Sequence, residues 1–242
     1  MTENTAAAAR TLADIQPCGT CPVRGLAVCG VLDPQELYAL AEIVHELHRT
    51  HRQSVIVEGD EADSFYVVTG GVASVEKLLA DGRRQVVGFL YPSDFFGLAI
   101  DGRYAYNVTA VTNLSLCRLD RAKYLNLIER FPKLEHRLLG MASDELAANQ
   151  EQLLVLGRKT AKEKVASFLS TLSERSGRLG HARSPVWVPM TRGDIGDYLG
   201  VTTETTSRMF TQLRKEGLIE FLPDAMIALC DAARLKEIAD GG

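Results

Sequence analysis

Three cysteines crowd into twelve residues of this chain, as Cys18-Gly-Thr-Cys21-Pro-Val-Arg-Gly-Leu-Ala-Val-Cys29. Three thiols in a short Pro/Gly loop have no packing purpose, so thiolate chemistry is the reading they invite. The full count is five, an odd number, and the N-terminus does not read as a secretory signal, which argues against a disulfide framework and for metal or redox chemistry. Iron–sulfur clusters and structural zinc both call for four ligands. Cys117 is the natural fourth, because it lies on a strand near the end of a β segment and can face the loop. Cys230 has no cysteine neighbour and reads as structural.

A second constellation sits near the C-terminus. Thr191 can cap a short helix with Asp194 completing the pair, Gly200 stands where a turn needs positive φ, and Thr202 or Thr203 caps a second helix that Gly217 ends. Met209, Phe210 and Leu213 form the apolar face of this second helix. Glu204, Ser207 and Arg208 share the opposite face at i, i+3 and i+4. An arginine there can fork onto guanine O6 and N7, and a glutamate can accept from cytosine N4. On an arbitrary helix the same residues would be an ordinary surface pair. In a helix–Gly–helix–hairpin unit they are placed to read bases.

The elements that must position these residues follow from periodicity. Residues 1–15 are Ala-rich and read as mobile. A helix opens at Asp33-Pro34 and carries Leu37, Leu40, Ile43, Val44 and Leu47 on one face. The period then shortens to two. Ser54–Val57, Ser64–Thr69, Val72–Leu78, Gln85–Tyr91, Tyr106–Val111 and Ser115–Leu119 read as short strands, punctuated by Gly and Pro turns. A short helix, 121–130, stops before Pro132. A long helix follows to Leu156, with Leu139, Ala142, Leu146, Asn149, Leu153 and Leu156 at heptad spacing. An ordinary core stripe has similar spacing, but Asn149 in mid-seam favours a dimer, where it meets its twin across a two-fold axis. A further helix spans 160–176, and Leu218–Cys230, broken at Pro223-Asp224, reads as a hairpin wing. The fold class is α+β: a double-stranded antiparallel β-roll, a long dimerisation helix and a C-terminal winged helix-turn-helix. The corresponding divisions are 1–30, 31–131, 132–157 and 158–242.

Together these segments resemble the CRP/FNR superfamily over nearly the whole chain, and Glu204-Thr-Thr-Ser207-Arg208 resembles the Glu-x-x-Ser-Arg signature of its FNR branch. The resemblance, to the alphaproteobacterial FnrL/FnrN type, implies an oxygen-responsive transcription regulator that reads an inverted repeat of the form TTGA-N6-TCAA. It implies base contacts from Glu204, Ser207 and Arg208, with Thr202 and Thr203 at the same helix start. It also implies an oxygen-labile [4Fe–4S] cluster on Cys18, Cys21, Cys29 and Cys117. The seven-residue gap before Cys29 is longer than the five of the best-known members and resembles relatives that also carry clusters. Zinc is the competing occupant, giving a stapled DNA-binding protein without oxygen sensing.

Cyclic nucleotide is not expected. Relatives that bind cAMP carry Gly-Glu and Arg-Ser/Thr, whereas here Gly97 precedes Leu98 and Arg103 precedes Tyr104. Haem stays open, although His45, His48 and His51, spaced around a helix end, read as surface residues, and His136 and His181 stand apart. The hairpin Asp81-Gly82-Arg83-Arg84 corresponds to a family surface for RNA polymerase. Asn149 replaces an acidic residue of some members, which implies a weaker brake on dimerisation.

Composition bounds the rest. With 242 residues, 46% hydrophobic, the chain has material for real cores, and no apolar run suffices to span a bilayer. The N-terminus is not a secretory signal, so the expected compartment is the cytoplasm. The net charge of −4 does not advertise nucleic-acid binding, although a basic stretch from Arg158 to Arg183 precedes the helix-turn-helix. There is no Walker loop, dinucleotide fingerprint or nucleophile–base pattern, and an enzyme is not expected.

Overall fold

The computed structural model describes residues 15–99 and 101–242, so the expectation for the Ala-rich start lies outside the described residues. Eight strands form the roll: β1 (Val44–Arg49), β2 (Ser54–Ile56), β3 (Ser64–Gly70), β4 (Ala73–Leu78), β5 (Arg84–Leu90), β6 (Phe95–Phe96), β7 (Asn107–Ala110) and β8 (Leu114–Asp120). They pair antiparallel in two sheets, ordered β1-β8-β3-β6 and β2-β7-β4-β5. All six expected strands are present.

The sheet β1-β8-β3-β6 is apolar on both faces. Successive side chains of a strand point to opposite sides. Tyr66, Val68, Leu114 and Leu116 therefore enter the core between the sheets, while Phe65, Val67, Cys117 and Leu119 face the other way. That outer face is covered by the N-terminal loop, with its 3-10 turns Cys18–Thr20 and Val28–Val31, by α1 (Pro34–Ala41) and α2 (Arg121–Arg130), and by the start of α3 (Pro132–Arg158).

The helix opening at Pro34 is capped as expected. Asp33 Oδ1 accepts from the backbone N–H groups of Gln35 and Glu36, and Glu36 returns a carboxylate oxygen to the Asp33 N–H. It ends early, however. Ile43, Val44 and Leu47 do not continue its face: Ile43 follows it, and Val44 and Leu47 belong to β1. Residues three apart share a helix face but lie on opposite faces of a strand. Accordingly, Val44 packs into the outer core and Leu47 against the inner one. Six residue pairs with β8 give this segment its backbone partners, and that tertiary pairing overrides the helical spacing. His45 and His48 consequently lie on β1 and His51 in the turn after it, not around a helix end. All three are exposed.

The C-terminal part begins with α4 (Ala161–Arg178), whose first turn is closed by a Thr160–Glu163 capping box. There follow β9 (Val186–Trp187), α5 (Arg192–Leu199), α6 (Thr203–Lys215), β10 (Ile219–Phe221), β11 (Met226–Leu229) and α7 (Ala232–Ala239). The wing is three-stranded, in the order β10-β11-β9, because Val186–Trp187 joins the expected hairpin. The helix α7 was not anticipated; it buries Leu235, Ile238 and Ala239 against α4. Val72 and Tyr91 of the roll share one core with Phe168 and Leu169 of α4 and Phe210 of α6.

Gly200 adopts φ 63°, as the turn between α5 and α6 requires. Gly196 is the less obvious glycine. A Cβ there would stand 2.7 Å from the Val201 carbonyl oxygen and 3.2 Å from Thr206 Oγ1, so α5 and α6 close only over a bare backbone. Gly196→Ala should lower folding stability by about 1–3 kcal/mol through overpacking; chemical denaturation of the two proteins checks this.

Candidate cysteine pocket and nucleic-acid interface

Cys18 and Cys29 sit in the two 3-10 turns, with Cys21 just after the first. Short backbone bonds fold the loop back on itself, among them Cys21 N–H to Cys18 O at 3.3 Å and Leu32 N–H to Cys29 O at 3.1 Å. Gly30 is required in that fold: a Cβ would lie 2.8 Å from the carbonyl oxygens of Arg24 and Gly25. Cys117, paired across β8 with Val67 and Glu46, reaches the loop from the sheet. The four thiols line one pocket whose other walls include Val23, Val28, Leu40, Val67 and Leu119. Among the described residues, no three His, Cys, Asp or Glu side chains are drawn tightly enough to grip one ion as they stand.

Burial pushes the Cys18 thiol up to about 12, with the neighbouring cysteines adding and Arg24 opposing. Burial likewise raises Cys29 to about 11. Cys117 is raised by burial first and then by the other three cysteines. The bare chain therefore keeps these thiols neutral, and a thiolate set needs a cationic centre to neutralise it. Two further groups point to such an occupant. The Tyr124 hydroxyl and one terminal nitrogen of Arg24 are buried without a hydrogen-bond partner among the described residues, each at a cost of about 1–3 kcal/mol. Tyr124 is electrostatically coupled to Cys29 and Cys117, and Arg24 to Cys18 and Cys29. Both can donate to sulfur. An all-sulfur donor set with buried donors around it fits a thiophilic group.

Cys230, read as structural, is instead exposed, with its backbone N–H donating to Leu218 O at 2.9 Å. Alkylation of the metal-free chain at pH 8 should accordingly modify Cys230 well before Cys18, whose rate should still climb above pH 10 as its raised thiol ionises. Mass spectrometry of timed samples checks this, and equal rates at pH 8 would contradict the buried thiol.

Along α3, Leu139, Leu146 and Leu153 are 65%, 61% and 69% exposed, one leucine every seven residues. Ala142 and Asn149 are exposed between them. Leu156 departs from this row: it is half-buried, and its side chain lies 3.4 Å from where a Cβ on Gly200 would stand.

The second helix of the helix-turn-helix is built as expected. Thr202 is its cap, with Oγ1 accepting from the Thr205 N–H at 3.1 Å. Thr203, Glu204 and Arg208 are exposed, Ser207 is half-buried, and Phe210 and Leu213 close the opposite face. One residue escaped the sequence reading. The Arg192 guanidinium lies 3.6 Å over the Phe210 ring and 5.5 Å from that of Phe221, tying α5 to α6 and the wing. No spacing rule marks such a stack.

Four residues of the basic stretch are taken up within the chain. Lys159 donates to Ser167, Lys162 pairs with Glu216, Lys164 is buried and Arg175 pairs with Asp94. In the hairpin Asp81–Arg84, Arg83 pairs with Asp81 near the tip, but Arg84 is turned away to Glu76, Asp194 and Asp197. It therefore leaves the surface expected to meet RNA polymerase.

Residues 46–131 match the cyclic nucleotide-binding domain model, and residues 163–238 match the Crp-like helix-turn-helix domain model. The chain is 39% identical to the transcriptional activatory protein AadR of Rhodopseudomonas palustris, covering 90% of this chain and 91% of that one. It is 40% identical to the transcriptional activator protein FnrL of Cereibacter sphaeroides, covering 93% and 94%. The solved structure of FixK2 from Bradyrhizobium japonicum superposes with a TM-score of 0.75 at 32% identity, over 81% of this chain and 97% of that one. With both domains matched and relatives aligned end to end, this chain belongs to the CRP/FNR family of transcription regulators, and is a DNA-binding regulator and not an enzyme.

Proposed function

We propose that this chain is an oxygen-responsive transcription activator that holds a [4Fe–4S] cluster on Cys18, Cys21, Cys29 and Cys117. The observation that carries the reading is the single pocket lined by these four thiols, in a chain whose C-terminal part carries a helix-turn-helix. When bound, the cluster supplies an oxygen-labile, redox-active centre. The chain's own residues couple that pocket to the dimer helix. Arg137 of α3 donates to the Leu26 carbonyl at 2.8 Å, inside the loop between Cys21 and Cys29, and Lys133 of α3 pairs with Glu36 of α1. A loop held at its cysteines thus presses on α3, while a released loop loses that anchor. Leu139, Ala142, Leu146, Asn149 and Leu153 form the seam on which two copies meet, while Leu156 turns to the helix-turn-helix. The dimer then presents two copies of α6 to the half-sites of a TTGA-N6-TCAA repeat, with Glu204, Ser207 and Arg208 on base edges and Thr202 and Thr203 at the helix start. The exposed hairpin tip, Asp81–Arg83, is the surface offered to RNA polymerase.

Cyclic nucleotide does not enter this reading. Tyr104, where a phosphate-binding hydroxyl residue would follow Arg103, is buried with its hydroxyl donating to Ser64 O at 2.7 Å, and Arg103 itself donates to Gly59 O at 2.6 Å. The competing occupant of the pocket is zinc, which is colourless.

Anaerobically purified protein should be brown and contain iron and sulfide at about four each per chain, and should bleach in air with loss of operator binding. Cys117→Ser should abolish the colour. A colourless protein with stoichiometric zinc would remove oxygen sensing and leave DNA binding standing. Independently, Arg208→Ala should cost about 1–3 kcal/mol of discrimination at the guanine it reads; operator binding with single-base substitutions measures it.

A further inference from the structure

Where the roll meets the winged helix, two arginine clamps point in opposite directions. Arg84 reaches out from β5. Its Nη2 donates to Asp194 Oδ1 at 2.6 Å and to Asp197 Oδ2 at 2.8 Å, its Nε to Asp197 Oδ2 at 3.0 Å, and its Nη1 to Glu76 Oε1 at 3.2 Å. Arg175 reaches back from α4. Its Nη2 donates to Asp94 Oδ1 at 2.5 Å, and its guanidinium lies 4.8 Å from the Tyr91 ring centroid.

The two accepting carboxylates share a design. Asp194 turns its other oxygen, Oδ2, to the Thr191 N–H at 3.0 Å, completing the capping box of α5. Asp94 turns Oδ2 to the Tyr91 N–H at 2.8 Å. Each carboxylate is thus also held by a backbone N–H of its own segment, apart from the arginine that reaches it from the other domain. A guanidinium is a planar fork with directed donors, so Arg84, with three of its nitrogens engaged, sets an orientation as well as a distance, while Arg175 is held by one hydrogen bond and the face of Tyr91.

Other contacts fill the space between the clamps. The Phe89 ring of β5 lies 5.3 Å from Tyr198 of α5 and 6.3 Å from Phe168 of α4. Gln85 donates to the Asp197 carbonyl, and Gln152 of α3 donates to the Tyr198 carbonyl at 3.1 Å. None of these contacts uses the reading face: Glu204 and Arg208 remain exposed on α6, which is packed on α5 through Gly196.

The clamps therefore hold α5, and α6 with it, at a set place relative to the roll and α3. In a dimer joined along α3, that placement decides the separation of the two reading helices, and separation is what half-site spacing measures. The geometry points to Arg84 with Asp194 and Asp197, and Arg175 with Asp94, as positioning residues that set the half-site spacing the dimer accepts, without touching DNA. This rests on the DNA-reading role of α6 and the seam on α3, and is independent of what the cysteine pocket holds.

The test uses the full chain in its DNA-binding state and a library of inverted repeats whose spacers differ by single base pairs. Selection by the wild-type chain first defines its own preferred spacer, which tests the operator reading separately. Arg84→Gln and Asp197→Asn should then lose about tenfold of the preference for that spacer over its neighbours, while affinity for a duplex with a single half-site is unchanged. Arg84→Lys, which keeps the charge and loses the fork, should behave like Arg84→Gln. If Arg84→Gln fails to fold because Glu76 and Asp194 are left unpaired, Asp197→Asn carries the test, since Asp197 is 38% exposed. An Asp197→Asn protein that keeps its spacer preference and changes only its melting temperature overturns the proposal. So does a wild-type chain that accepts every spacer equally.

Discussion

The constraint on which the rest depends is that one antiparallel sheet, β1-β8-β3-β6, buries apolar side chains on both faces. Period-two alternation sends Leu114 and Leu116 inward to close the roll and sends Cys117 and Leu119 outward. Without a second apolar face there would be nothing for the N-terminal loop to pack on, and Cys117 would have no pocket to complete. The outer face needs a cover, and the cover is the cysteine loop together with α1, α2 and the start of α3. Sensing chemistry and dimer helix thereby become neighbours through ordinary burial of apolar surface.

The same economy governs the other end. The winged helix does not hang from α3 as a separate bead. Val72 and Tyr91 of the roll enter its core, and the arginine clamps lie beside that contact. Such a junction is constrained in two ways: close-packed side chains resist translation, and the forked, partly buried Arg84 pairs resist rotation. A regulator that must present two reading helices at a defined distance gains from both. The recognition residues can then remain exposed and lightly held, as Glu204 and Arg208 are, because their placement is decided from behind.

Burial makes ionisation of Cys18, Cys29 and Cys117 costly in the bare chain, and leaving the Tyr124 hydroxyl and one terminal nitrogen of Arg24 without partners adds to that cost. Natural cores seldom carry such a concentration of unsatisfied groups without an occupant to satisfy them. The energetic strain at this pocket and the quiet packing around it are two sides of one arrangement.

Local patterns were enough to write down much of this protein from its sequence alone. The six strands, the capped start at Asp33, the long helix, the Thr202 cap, the turn at Gly200 and the face carrying Glu204, Ser207 and Arg208 all follow from rules acting over a few residues, where sterics and hydrogen bonding are local. The crowding of Cys18, Cys21 and Cys29 was legible for the same reason. What only the tertiary structure decided is everything that depends on a distant partner. Val44 and Leu47 joined a strand because β8, some seventy residues on, offered its backbone. Lys159, Lys162 and Arg175 before the helix-turn-helix found acceptors within the chain, and Arg84 turned from a hairpin surface to an aspartate pair more than a hundred residues away. A sequence window records the propensity of a residue, whereas its role is set by which groups the folded chain brings within hydrogen-bonding reach.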